Sequence, residues 1–172
     1  MNIKVNGIDE ILRTLNPKIY KKALNRTLND IGAKTRTQMV KGVRKEYNIS
    51  AKKLKQHMKI KRSIYDDMQY IIHIQDRRRN VMNFAAKKLK TRGKVSVKIR
   101  KGRGRATLRN TFVAKNGAIL HRVGKTQKIE GVTTLSITQM FNNKIVKEAE
   151  QIAKKEFGKK LQDNFNFYIG KV

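Results

Sequence analysis

The chain has no cysteine, no tryptophan, a single proline and only 6% aromatic residues in 172 positions. Without cysteine there are no disulfides and no thiolate chemistry, a composition that suits a reducing compartment. Long apolar runs are also missing: none approaches the ~18 residues of a membrane span, and the N-terminus lacks the apolar core of a signal peptide. These absences predict a soluble product, assembled in the cytoplasm. Acids are scarce too, with 12 Asp and Glu against 42 Lys and Arg. From Arg77 to Lys128 the chain carries eighteen cations and no carboxylate, more than half of its formal net charge of +30. A two-carboxylate acid/base site or a Mg²⁺ site is therefore not built from that stretch.

What is present reads as one α+β domain over residues 1–172, with two long amphipathic helices packed on a small, mainly antiparallel sheet. Met1–Val5 alternates like a short strand, and Gly7–Arg13 carries acids in a first helical turn. Pro17 suits the start of a helix, since its missing N–H is harmless there. Ile19, Ala23, Leu24, Leu28, Ile31, Met39 and Val43 then recur at 3–4 spacing, which predicts a helix over 17–45. Gly32 and Ala33 lie on or beside that stripe, where another element can come close. Ser50 offers an N-cap for a short helix over 51–57. Residues 59–62 and 68–74 read as strands joined through a turn at Asp66-Asp67, and 77–80 as a loop. Val95, Val97 and Ile99 predict a half-exposed strand, and Asn116-Gly117 a hairpin between 111–114 and 118–122. Ser136–Gln139 matches a capping box opening a second long helix, and Phe165, Phe167 and Ile169 alternate as a closing strand would.

Catalytic chemistry finds little footing. His57, His73 and His121 are scattered without metal-ligand spacing; His73 reads as a structural residue among apolar neighbours, and His121 as a solvent-facing or contact residue. Gly102-Arg-Gly104 is a fragment of a phosphate loop without the rest of its motif. The basic stretch has a plain reading, a solvated hairpin around 93–112, and a functional one. In the functional one Lys98, Arg100, Lys101, Arg103, Arg105 and Arg109 face phosphates or an acidic protein surface, with Gly102 and Gly104 letting the loop bend. Few aromatics interleave these cations and no groove-reading helix pair is evident, so base stacking and sequence readout are not expected.

Three ordered segments resemble the phage minor tail protein Z family, whose members are tail-completion proteins at the head–tail junction. The first runs from Ala23-Leu-Asn-Arg-Thr27 through Val43-Arg-Lys-Glu-Tyr-Asn-Ile49 to Lys52-Lys-Leu-Lys55. The second joins Phe84-Ala-Ala-Lys87 to Gly93–Gly102 and Thr111-Phe-Val-Ala114. The third spans His121-Arg-Val-Gly-Lys125 to Ser136-Ile-Thr-Gln-Met-Phe141. Lys128-Ile-Glu130 replaces a usual Leu-Pro-Ile segment, and Thr134-Leu135 stand where Gly-Pro usually precedes the serine, so the turn there departs from the family's shape.

The resemblance implies a structural role in the virion, in the tail or neck, without catalysis, cofactor or metal. It implies other neck and tail proteins as partners, such as a tail terminator and a connector, and a homo-oligomeric ring; double-stranded DNA in the channel is a further expected contact. Ser136, Met140 and Phe141 are the candidate subunit interface, with core packing as the alternative for the latter two. A rival reading, on charge alone, is a free nucleic-acid-binding protein of ribosomal or nucleoid type.

Overall fold

Proline at the first helical position and the Asn16 side chain, which accepts the Ile19 N–H at 3.2 Å, start the first helix where the sequence places it. The computed structural model describes residues 16–124 and 127–170, so the strand expected over Met1–Val5 and the helix over Gly7–Arg13 lie outside the described residues. In chain order the elements are α1 (Pro17–Glu46), α2 (Ala51–Gln56), β1 (Met58–Lys61), β2 (Ile71–Ile74), β3 (Arg78–Asn80), a 3₁₀ turn (Val81–Asn83) and β4 (Lys87–Lys88). There follow β5 (Lys94–Val97), β6 (Ala106–Arg109), β7 (Thr111–Val113), β8 (Ile119–Arg122), β9 (Ile129–Gly131), β10 (Thr133–Ser136), α3 (Ile137–Met140) and α4 (Asn143–Ile169). The class is α+β, as expected, and the strands are shared among four small sheets: β1-β2, β10-β3, β4-β5-β6 and β7-β8-β9.

The chain divides into two compact units. The first comprises residues 1–39, 58–73 and 143–172. Here α1 and α4 run antiparallel: Lys34 pairs with Glu156 (2.5 Å), Asp30 with Lys160 (3.5 Å), and Thr27 accepts from Asn164 (2.8 Å), so one number falls as the other rises. Ile19, Ala23 and Ile31 meet Ala153, Phe157, Leu161 and Phe165 between them. Each large side chain so buried contributes roughly 1.5–3 kcal/mol. Thr27 and Thr35 sit on the apolar stripe, yet their hydroxyls donate to the carbonyls of Ala23 and Ile31, so burial leaves no orphan. The Tyr70 ring lies directly against Gly32 and leaves no room for a Cβ, the close approach that glycine permits.

The alternation at Phe165, Phe167 and Ile169 does not make a strand. α4 continues through Ile169, because Phe157, Leu161 and Phe165 repeat at i+4 and bury one helical face against α1. The capping box at Ser136 and Gln139 is formed, but it opens only one turn. Phe141 leaves helical geometry at ψ 65° and turns inward, 8% exposed, before α4 begins at Asn143.

The second unit comprises residues 40–57 and 74–142; Val81, Val95, Val97 and Ile119 form one packed cluster in it, and Val43, Leu54, Phe84, Ile137 and Met140 are buried as well. Ser50 caps α2 as expected. The expected loop at 77–80 is in part a strand, β3, which pairs antiparallel with β10. Its Asn80 amide exchanges two hydrogen bonds with Ile119, at 2.8 and 3.0 Å, a polar link that an apolar-periodicity reading passes over. β5 is buried on both faces rather than half-exposed, because Arg105 covers the Ser96 side by donating to its hydroxyl at 2.7 Å. The β7–β8 hairpin turns through Asn116-Gly117 with Gly117 at φ +81°, the left-handed value that turn needs.

Candidate functional site

The basic hairpin consists of β5 and β6, paired antiparallel from Lys94 opposite Arg109 to Val97 opposite Ala106, with residues 98–105 as its loop. The loop is strapped at its base. Tyr47 and Arg100 form a bridge, Asn48 N–H donates to Ile99 carbonyl at 2.8 Å, and Lys101 N–H donates to Glu46 carbonyl at 2.9 Å. The three straps bind the loop to the last residue of α1 and the two that follow it, so the backbone of the loop's first half is held.

The six cations singled out from sequence separate into two groups. Arg100 lies 5.4 Å over the buried Tyr47 ring, and Arg105 donates to Ser96 and to the carbonyl of Ala85, at 2.6 Å. These two brace the hairpin while keeping their charge, since their partners are neutral. Lys101, Arg103 and Arg109 are exposed and Lys98 is half-buried. None of the four is within ion-pair distance of a carboxylate among the described residues. Gly102 and Gly104 do not take positive φ, so the loop bends there without left-handed backbone.

Ser136, Met140 and Phe141 are all buried within the chain, with Met140 fully so. Their placement is set by the capping box and the break before α4.

A cluster that sequence spacing did not suggest forms around Asp76, whose side chain is 5% exposed. Arg79 donates to both of its carboxylate oxygens, at 2.7 and 2.6 Å, and Ile137 N–H donates at 3.3 Å. The His57 ring, at the end of α2, contacts the Arg79 guanidinium through both nitrogens and lies 3.6 Å from Asp76. Burial pushes the Asp76 carboxyl up, but hydrogen bonds from Arg79 and the backbone N–H groups of Ile137 and Arg77 outweigh it and hold the group below the usual aspartate value. Only i to i+3 spacing between Asp76 and Arg79 signals this in the sequence; His57 arrives by tertiary folding. His73 is exposed on β2, contrary to the structural role read from its neighbours, whereas the Nδ1 of His121 is buried with no hydrogen-bond partner among the described residues. Among the described residues no group of three His, Asp or Glu is placed to hold a metal ion, and no helix is long and apolar enough to cross a membrane.

A basic hairpin braced by neutral partners, with Lys101, Arg103 and Arg109 left exposed, defines a protein built to meet other surfaces. The family comparison agrees: the prophage minor tail protein Z (GPZ) family matches residues 3–171, and the chain belongs to that family. It is thus a phage minor tail protein with a structural role in the virion, where it meets other phage tail or virion proteins. No curated protein and no solved structure matches the chain.

Proposed function

We propose that this protein completes the tail and joins it to the head, working as a subunit of a ring with the β5–β6 hairpin turned toward the channel. There its cations meet the DNA end or an acidic wall. The role is structural rather than catalytic, in the neck of a virion assembled in the host cytoplasm. One observation carries the reading: Lys101, Arg103 and Arg109 are exposed, with no carboxylate partner among the described residues, on a hairpin whose base is strapped down. Loose contacts of this kind suit a strand that later slides out, because phosphate neutralisation carries no sequence register.

The test replaces Lys101, Arg103 and Arg109 by Gln and leaves the bracing Arg100 and Arg105 in place. Fewer heads joined to tails are expected by electron microscopy of lysates. The slope of log affinity against log salt for duplex DNA should fall by about 0.9 for each phosphate that is no longer neutralised. Unchanged particle yield together with an unchanged slope overturns the reading. Tight duplex binding by a protein absent from purified particles would instead favour the nucleoid-type alternative.

A further inference from the structure

The most exposed large apolar side chains among the described residues are neighbours: Ile64 at 54% and Tyr65 at 56%. They stand at a tip held stiff from both sides. Asn29 clamps Ser63 by a reciprocal amide pair, its Nδ2 donating to the Ser63 carbonyl (3.0 Å) and its Oδ1 accepting the Ser63 N–H (3.1 Å). Ile64 and Asp67 exchange backbone hydrogen bonds at 3.1 and 3.2 Å, and Lys61 anchors the Asp67 carboxylate at 2.5 Å. The remaining acid, Asp66, is exposed and has no ion-pair partner among the described residues. Exposing an aliphatic and an aromatic side chain on an immobilised backbone costs solvation and conformational freedom, and such preorganised anchors are what binding hot spots are made of.

The second unit holds a cavity of about 110 Å³, close to the volume of one large side chain. The buried Ile49 and Ile137 give it an apolar floor, and Lys53, Gln56, His57, Arg79 and Asn83 complete its lining, with Arg79 held by His57 and Asp76. Lys53 bonds the neutral Asn83, at 2.6 Å, and pairs with no carboxylate among the described residues, so its charge is uncompensated. The apolar floor suits an aliphatic or aromatic side chain. The guanidinium suits a ring face, the amides a phenol hydroxyl, and the ammonium a neighbouring carboxylate.

The geometry points to a knob and a socket: Tyr65 of one copy enters the Ile49–Ile137 cavity of a second copy, with Ile64 beside it at the mouth and Asp66 meeting Lys53. Two copies at a formal +30 each repel unless an acidic spot of one meets cations of the other, and this tip presents acid and apolar surface together. Knob and socket are different surfaces, so the contact is heterologous and propagates head to tail until a rotation closes it. This rests on the ring reading above and names the contact that closes the ring.

The absence of cysteine makes the contact directly testable. A double variant, Ile64→Cys with Gln56→Cys, retains Tyr65 and should give a ladder of disulfide-linked oligomers on a non-reducing gel, while each single variant gives nothing above a dimer. In sedimentation, Tyr65→Ser should weaken self-association at least tenfold, as should Asp66→Lys, with circular dichroism confirming the fold. Lys53→Glu combined with Asp66→Lys should restore association. Cross-links limited to dimers, with Tyr65→Ser assembling as the parent chain does, overturn the knob and leave the ring reading standing. A parent chain that stays monomeric at every concentration and yields no self-cross-links in virions overturns both.

Discussion

In the first unit eighteen Lys and Arg stand beside nine acids, whereas in the second twenty-four stand beside three. Lys34, Lys154 and Lys160 of the helical unit each reach a carboxylate, and the exposed Lys101, Arg103 and Arg109 of the strand-rich unit reach none among the described residues. Exposed ion pairs are worth about 0–1 kcal/mol each, so this difference says little about stability. It says much about the field outside the molecule, which is damped over the helices and left standing over the hairpin. The source of stability differs as well. The helical unit relies on Phe157, Leu161 and Phe165 along one helix seam, while the strand-rich unit gathers buried residues from many short elements, among them Leu54, Phe84, Val95, Ile119, Ile137 and Met140, and adds polar straps such as Asn80–Ile119 and Asp76–Arg79.

That contrast is sharpest where it can be broken. Phe165→Ala removes a side chain 1% exposed from the α1–α4 seam and should lower stability by about 3–5 kcal/mol in urea unfolding. A loss under 1 kcal/mol would mean that the helical unit does not depend on its aromatic core. Asp76→Asn strikes a strap of the other unit and should cost on the order of 2 kcal/mol by leaving Arg79 without its carboxylate. Because the folded-state pKa of Asp76 lies below its unfolded value, its ionisation stabilises the fold above the unfolded pKa. That contribution is lost as pH falls through the folded value. The Asn variant should therefore show a shallower decline in stability below about pH 4, and a parallel decline would remove the pairing from the account. The smallest effect belongs to the hairpin: Gln at Lys101, Arg103 and Arg109 should leave unfolding within about 0.5 kcal/mol, since these side chains are exposed and no carboxylate among the described residues pairs with them. A larger loss would show that these cations brace the fold as Arg100 and Arg105 do.

Elements with one strong local signal were legible in advance. Pro17 and a 3–4 apolar stripe marked α1, Asn116-Gly117 marked the β7–β8 turn, and Ser136 with Gln139 marked a helix start. The misreadings occur where local pattern and tertiary demand diverge. Phe165 to Ile169 alternates like a strand, but the i+4 series from Phe157 wins because it buries a face against α1. β3 is Arg-Arg-Asn and carries no apolar signal, so only its pairing with β10 reveals it. Within the basic loop, charge was visible and roles were not: Tyr47 and Ser96 claim Arg100 and Arg105, and those contacts span 53 and 9 residues.

Net charge, the lack of thiols, and the periodicity of α1 follow from residue identities read in order, because each depends on composition or on neighbours within a few positions. Which of the exposed arginines are tied to groups of the subunit itself, why β5 is covered on both faces, and how His57 comes to lie against Arg79 and Asp76 depend on residues brought together from afar. Local order sets how much charge the chain carries and roughly where. Packing alone decides which of those charges remain for a partner, because a guanidinium held by a carbonyl or a ring within the fold is no longer free to move to another surface.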